Sequence, residues 1–120
     1  MAEPRLRILV VEDHDPLRRL LAAALANAGC RVSEAPGGMV AALDAARRWP
    51  FDLAVLDRSI GGGDAFSIVD ALAERGIPCV LVSGYPRSSL PERFQDLPFL
   101  EKPFTMEALV AAVREASRTG

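Results

Sequence analysis

Short apolar runs alternate along this chain with longer stretches whose apolar residues recur every three or four positions. The short runs predict buried β-strands, and the longer stretches predict amphipathic helices. Five strands are predicted, over residues 7–12, 31–34, 53–56, 79–82 and 99–101. Because strands and helices alternate, the pattern indicates βαβ units in a parallel sheet, an α/β fold of the (βα)5 type.

Local signals predict where the first and last helices begin and end. Asp15-Pro16 offers an N-cap followed by a proline in the first helical turn, and Gly29 ends the first helix. Thr105 is the predicted cap of the last helix, whose buried face then continues at helical spacing.

The other helices are less evenly defined. A turn at residues 36–38 precedes the second helix, and the third is expected over residues 65–75. The stretch 85–98 holds three prolines, so the fourth helix is expected to be short or irregular, near residues 91–95.

Composition narrows the class of protein. The 120 residues fit a single domain over residues 1–120. A net charge of −2 and scattered arginines argue against a nucleic-acid-binding surface.

Cys30 and Cys79 make no disulfide framework, so each is expected to be buried and reduced. No apolar run approaches the roughly 18 residues of a membrane span. With no signal peptide before the first strand, we expect a cytoplasmic protein without membrane contact.

Polar side chains follow the predicted strands at the points where they end. Glu12 and Asp13 follow the first strand, Asp57 the third, Ser83 the fourth and Lys102 the fifth. In a parallel α/β sheet these ends meet at one edge, where ligands bind. Crowded carboxylates favour a hard cation such as Mg²⁺, while the lysine and the hydroxyl suit an anion.

The residues alone leave two roles open for Asp57. It is either a metal ligand only or also a nucleophile, since carboxylates form acyl phosphates. A phosphoryl group there would need a metal, a lysine and a hydroxyl donor, and Lys102 and Ser83 supply the last two. A simpler alternative is that these acids only cap helices or face solvent. It is disfavoured because Asp15 is already the predicted cap. His14 is interpreted as a loop residue at the start of the helix.

The chain resembles the receiver domain of two-component response regulators over essentially its whole length. The resemblance rests on four segments: Val10-Val11-Glu12-Asp13, Phe51-Asp52-Leu53-Ala54-Val55-Leu56-Asp57, Val82-Ser83-Gly84 and Lys102-Pro103-Phe104. It implies a flavodoxin-like, doubly wound parallel sheet with strand order 2-1-3-4-5. The tract 61–84 and the following Leu90-Pro91-Glu92-Arg93-Phe94 are similar to small stand-alone receivers of alphaproteobacterial type.

The resemblance also implies a metal site and a phospho-acceptor. Asp57 is the implied acceptor and also a ligand of Mg²⁺, the implied cofactor. Asp13 is implied as a direct ligand, and Glu12 as an acid acting directly or through water. The backbone carbonyl of Ser59 completes the protein ligands.

The implied switch lies at the neighbouring strand ends. Ser83 is the hydroxyl that bonds the phosphoryl group, and Lys102 is its counter-cation. Phe99 occupies the position of the aromatic residue that rotates with the switch. A cis peptide is expected between Lys102 and Pro103.

Two features depart from the usual family pattern. Gly61 and Ala65 stand where the family often has a proline and a glycine, and the three glycines at 61–63 indicate an unusually mobile loop. No lysine follows these glycines as it would in a P-loop. The segment between Ser83 and Lys102 is short and proline-rich, so a dimer built on a regular fourth helix is not expected. We expect a monomer or a weak dimer.

The sequence therefore predicts a signalling switch and not an enzyme, apart from self-phosphorylation by small donors and autodephosphorylation. The expected partners are a sensor histidine kinase or phosphotransfer protein and a downstream protein target. One alternative is a pseudo-receiver that binds partners without phosphorylation. A less favoured one is an aspartyl-phosphate phosphatase, whose second acid is absent from Asp57-Arg58-Ser59. A dinucleotide-binding domain is excluded because no Gly-x-Gly-x-x-Gly follows the first strand.

Overall fold

The computed structural model describes residues 5–35 and 38–119, so the predicted turn at 36–38 lies largely outside the described residues. Seven strands lie in this part of the chain: β1 (Arg7–Val11), β2 (Arg31–Ala35), β3 (Leu53–Asp57), β4 (Ser59–Ile60), β5 (Gly63–Asp64), β6 (Cys79–Ser83) and β7 (Phe99–Glu101). Five of them form a parallel sheet in the order β2-β1-β3-β6-β7, and β4 and β5 form a separate antiparallel pair. With the short pair set aside, this is the predicted order 2-1-3-4-5, and the predicted fold class is confirmed.

Helices cover both faces of the sheet. The α-helices of the described ranges are α1 (Asp15–Asn27), α2 (Met39–Arg48), α3 (Phe66–Glu74) and α4 (Met106–Thr119). Alternate residues of the strands point to opposite faces of the sheet and form two apolar clusters. Leu9 and Leu56 pack with α2 and α3 on one face, and Ile8 and Val55 pack with α1 and α4 on the other. Because apolar layers lie on both sides, β3 and β6 are buried along their whole length, which explains their unbroken apolar sequence.

A pair of single 3₁₀ turns replaces the fourth helix. They span Arg87–Ser89 and Glu92–Phe94, each directly after a proline. Leu90 and Phe94 are buried beneath them, so the segment is packed against the α3 side of the core. The prediction of a short or irregular fourth helix is confirmed.

One predicted cap is correct and another is wrong. The hydroxyl of Thr105 accepts a hydrogen bond from the Ala108 N–H at 3.0 Å, as an N-cap does. Asp15, in contrast, lies inside the first turn of α1, and the capping position is His14, which makes no side-chain cap bond. The Asp15 carboxylate instead pairs with Arg18 at 2.6 Å.

The three consecutive glycines lie at the turn of the hairpin formed by β4 and β5, and the unusual mobility expected of this loop stays a prediction. Ile60 pairs with Gly63 across the hairpin, with Gly61 and Gly62 as its two central residues. Their φ angles are 59° and 82°, the positive pair that a type I′ turn requires and that glycine adopts without strain. The hairpin therefore sets the path of the backbone just beyond the end of β3.

Within the described ranges, none of the helices combines the length and the apolarity needed to cross a lipid bilayer. Neither cysteine is in a disulfide: Cys79 is buried and Cys30 is half-buried. Burial raises the pKa of the Cys79 thiol to about 11.

Candidate functional site

Four strand ends converge at one edge of the sheet. Asp57 and Ser83 are the last residues of β3 and β6, while Glu12 and Lys102 directly follow β1 and β7. Since β1, β3, β6 and β7 are consecutive neighbours, their carboxyl ends place these side chains side by side. The structure thus brings together the acids, the hydroxyl and the lysine that the sequence pattern singled out.

A short ion pair joins Asp57 to Lys102. The lysine Nζ lies 2.7 Å from Asp57 Oδ2, and the Ser59 N–H donates to Asp57 Oδ1 at 2.8 Å. The Asp57 side chain is only 7% exposed, whereas that of Lys102 is 32% exposed. A buried carboxylate therefore has a cation and a backbone donor on its two oxygens, a charge-assisted arrangement of high strength.

Glu12 is the most deeply buried acid of the group. Its Oε2 accepts a hydrogen bond from the His14 N–H at 3.1 Å, and its Oε1 lies 3.5 Å from the Lys102 Nζ. The pKa of Glu12 is raised to about 7, first because burial penalises the charged form and second because its carboxyl is hydrogen-bonded to that of Asp57. Burial acts to lower the pKa of Lys102, but the hydrogen bond and charge of Asp57, with the charge of Glu12, leave it raised.

Asp13 lies at the solvent-exposed rim of the site. Its Oδ2 accepts a hydrogen bond from the Gly61 N–H at 2.9 Å. This bond is the main reason why the pKa of Asp13 is lowered, and an interaction with the Glu12 carboxyl acts in the same direction. The glycine hairpin is therefore fastened to the end of β1 through Asp13.

The predicted metal ligands are neighbours but do not form a ready three-ligand cluster. In residues 5–35 and 38–119, no group of three or more histidine, cysteine or carboxylate side chains is arranged to hold a metal ion. The carboxyl of Glu12 interacts with those of both Asp57 and Asp13, so Glu12 links the two other acids. The ligand role of the Ser59 carbonyl stays a prediction.

Ser83 is fully enclosed and bonded to its own loop. Its Oγ accepts a hydrogen bond from the Tyr85 N–H at 2.9 Å, and its carbonyl accepts one from the Lys102 N–H at 2.7 Å. The Lys102-Pro103 peptide is cis, as the resemblance implied. Phe99 is half-buried in β7 beneath the Arg87 guanidinium, 5.1 Å from the ring centre, and its rotation stays a prediction.

Sequence reasoning missed two arginines. Arg18 is buried in α1, where it pairs with Asp15 and with Glu34 at 3.1 Å and also donates to the Glu12 carbonyl at 3.3 Å. Helical spacing places Arg18 on the same face of α1 as the buried Leu25, so its burial could have been predicted from the sequence. Arg58, directly after Asp57, had no such signal, because its hydrogen-bond partner Ser89 and the ring of Tyr85 belong to the irregular segment that follows β6.

This combination of fold and strand-end residues is that of a receiver domain, and comparison with known proteins agrees. The family model described as response regulator receiver domain matches residues 8–114. The chain therefore belongs to the response regulator receiver domain family.

Individual relatives define the likeness further. The chain is 34% identical over 117 residues to the KDP operon transcriptional regulatory protein KdpE of Escherichia coli, covering 92% of this chain and 51% of the relative. It is 33% identical to the transcriptional regulatory protein TcrA of Mycobacterium tuberculosis, covering 95% of this chain and 47% of the relative. The chain thus spans about half the length of the curated relatives it matches.

Two solved structures show the same fold over almost the full chain. SdrG from Sphingomonas melonis Fr1 superposes with a TM-score of 0.79 at 30% identity, covering 94% of this chain and 97% of SdrG. A CheY-like response regulator receiver domain from Methanospirillum hungatei JF-1 superposes with a TM-score of 0.84 at 20% identity, covering 97% and 96% of the two chains.

Proposed function

We propose that this chain is a phosphorylation-dependent signalling switch whose acceptor is Asp57. The observation that carries the proposal is the contact of 2.7 Å between the Lys102 ammonium and a buried carboxylate at the end of β3, beside a second buried acid, Glu12. A cation held against a nucleophilic carboxylate can neutralise the charge of an incoming phosphoryl group. Membership of the receiver family supports the same reading.

In the proposed transfer, an oxygen of the Asp57 carboxylate attacks the phosphorus of a phosphohistidine on the donor protein. The new O–P bond forms as the N–P bond breaks, and the histidine nitrogen keeps the electron pair and takes up a proton. Lys102 stays beside the phosphoryl oxygens, and Ser83 donates its hydroxyl hydrogen to one of them. In autodephosphorylation, water attacks the same phosphorus, which releases inorganic phosphate and restores the carboxylate.

The proposed cofactor is Mg²⁺, and the residues present fit it. Mg²⁺ is commonly held by one or two carboxylates together with waters and a phosphate oxygen, so a cluster of three side chains is not required. Asp13 and Asp57 would hold it with the Ser59 carbonyl, and Glu12 directly or through water. Burial is the main cause of the raised pKa of Glu12, and the neighbouring Asp57 adds to it; a cation bound here would favour the charged form of Glu12. Bound there, Mg²⁺ supplies positive charge to the phosphoryl oxygens.

The proposed partners follow from the proposed chemistry. A histidine kinase or phosphotransfer protein supplies the phosphoryl group, and a downstream protein reads the altered surface. We propose a cytoplasmic location, a monomeric or weakly dimeric state, and no enzymatic activity beyond self-phosphorylation and autodephosphorylation.

The test is to incubate the protein with acetyl phosphate and Mg²⁺, measure its intact mass, and map the modified residue. We expect a gain of a single phosphoryl group on Asp57 that requires Mg²⁺ and is absent in Asp57→Asn. Asp52→Asn is the matched control, because Asp52 precedes the same strand at the opposite edge of the sheet, where it pairs with Arg7. Labelling that persists in Asp57→Asn, or that needs no metal, contradicts the assignment. A wild-type protein that takes no label from acetyl phosphate or from phosphohistidine donors favours a pseudo-receiver.

A further inference from the structure

Arg58 is held in place by its backbone directly after the proposed acceptor. Its N–H donates to the Val82 carbonyl at 2.8 Å, and its own carbonyl accepts from the Ala65 N–H at 2.7 Å. The main chain at this residue is thus fixed between β6 and the start of α3. Its long side chain is only half-buried and reaches across the surface.

The guanidinium of Arg58 contacts the segment that follows β6. It lies over the ring of Tyr85, 5.5 Å from the ring centre, and 5.6 Å from the ring centre of Phe66. It also donates to the hydroxyl of Ser89 and, at 3.2 Å, to the Ser89 carbonyl. A planar guanidinium is suited to stacking on rings and donating from its edge at once, which a lysine is not.

The same segment is bonded to the proposed switch hydroxyl. The Tyr85 N–H donates to Ser83 Oγ at 2.9 Å. If Ser83 turns its side chain toward a phosphoryl group on Asp57, the Tyr85 N–H loses this acceptor and the backbone after Ser83 has to adjust. Such an adjustment moves Tyr85 and Ser89 relative to Arg58, which is fixed to the loop after β3.

We propose that Arg58 is a positioning residue that holds residues 85–89 in their non-phosphorylated arrangement and thereby limits how readily Ser83 turns toward Asp57. The part that concerns phosphorylation rests on the proposed function. The part that concerns the hold on residues 85–89 does not, since it is a property of the unmodified protein. A group that stabilises one of two conformations lowers the population of the other by the same factor.

Arg93 provides a matched control within the same segment. Its guanidinium pairs with Asp70 at 2.5 Å and lies over the ring of Phe94, so it fastens the second 3₁₀ turn to α3. It has the same side-chain type and a similar combination of ring and polar contacts. None of its described contacts involves the loop after Asp57.

The first measurement is amide hydrogen exchange in the unphosphorylated protein. We expect Arg58→Ala to speed exchange at residues 85–90 by about fivefold, as loss of a ring contact and of charged hydrogen bonds implies. Arg58→Lys should behave like Arg58→Ala, because it keeps the charge but not the planar donor edge. Arg93→Ala should leave exchange at 85–90 at the wild-type rate. Equal rates in wild type and Arg58→Ala, or equal acceleration by Arg93→Ala, overturn the hold.

The second measurement is the initial rate of labelling by acetyl phosphate with Mg²⁺, under conditions in which wild type and variant are both fully folded. Arg58→Ala should be labelled about threefold faster than wild type, since the conformation competent for Ser83 contact becomes more populated. An unchanged or slower rate, with exchange accelerated as expected, overturns the link to Ser83. If the wild-type protein takes no label from any donor, the proposed function fails, and the exchange comparison still decides whether Arg58 holds the segment.

Discussion

The buried carboxyl of Glu12 allows the electrostatics of the site to be tested without phosphorylation. Its pKa is raised from 4.5 to about 7, so the folded protein binds this proton more tightly than the unfolded chain does. The stabilisation linked to the proton is complete below the unfolded-state value near 4.5 and is lost as the pH rises through the folded-state value near 7. At roughly 1.4 kcal/mol per pKa unit, the full loss is about 3 kcal/mol.

The perturbation is Glu12→Gln, which has nearly the same shape and no charge to desolvate. Free energies of unfolding are measured by urea titration in EDTA, which keeps the site free of metal, at about pH 5.5 and about pH 8.5. Between these conditions, wild type should lose about 2 kcal/mol relative to the variant; part of the full loss has already occurred by about pH 5.5, where the unfolded chain has released the proton and the folded protein still holds it. At the higher pH the variant should be the more stable protein, by about 3 kcal/mol.

The control is Glu74→Gln, an exposed acid at the end of α3. Its stability should follow that of wild type across the same pH range. Saturating Mg²⁺ should recover much of the wild-type loss at high pH and little in Glu12→Gln, because a nearby cation favours the charged carboxylate. Parallel profiles of unfolding free energy against pH for wild type and Glu12→Gln would refute the reasoning, since they would mean that the pKa of this carboxyl is the same in the folded protein and in the unfolded chain.

Three further outcomes are expected. Gly62→Ala should lower the free energy of unfolding by about 1–2 kcal/mol, because its φ of 82° is unfavourable for a residue with a side chain, while nothing within 4 Å would obstruct the added Cβ. Gly63 has no positive φ, so Gly63→Ala should lower the free energy of unfolding far less in the same urea titration. Arg18→Ala should cost about 1–3 kcal/mol because it removes the buried donor shared by Glu34 and the Glu12 carbonyl, and a loss no greater than that of the exposed Arg93→Ala would contradict this. Asp13→Ala should weaken Mg²⁺ binding more than Glu12→Ala does, measured by Trp49 and Tyr85 fluorescence, and equal affinities in wild type and Asp13→Ala would exclude Asp13 as a direct ligand.

The strands and their ends were predictable because burial on both faces leaves little freedom in sequence. β3 and β6 are unbroken apolar runs that end in a single polar residue, so Asp57 and Ser83 could be placed at the sheet edge from the sequence alone. The positions of Glu12 and Lys102 follow by the same rule. Their contact could not be predicted, because a lysine side chain reaches several neighbours and only the fold selects among them.

The features that escaped prediction are short or irregular. β4 and β5 have two residues each, too few for a periodic pattern, although paired glycines are a known signal for a two-residue hairpin. Asp15 was expected to cap α1, but the helix begins one residue earlier, and a boundary shift of this size changes the role of a polar residue. The contacts of Arg58 depend on residues 85–89, whose backbone is set by prolines and single turns and not by a repeating pattern.

The charge of the site explains why a lysine alone is insufficient for the proposed chemistry. In the unmodified protein, the Lys102 Nζ contacts the carboxyls of both Asp57 and Glu12, and the pKa of Glu12 is raised mainly by burial and also by Asp57, although Lys102 acts to lower it. A phosphoryl group on Asp57 would replace one negative charge with nearly two. The added charge would fall beside Glu12 and Asp13, and the Gly61 N–H of the hairpin already donates to Asp13. A divalent cation coordinated by these acids would leave Lys102 and Ser83 available to the phosphoryl oxygens, and for this reason we expect the proposed switch to depend on such a cation.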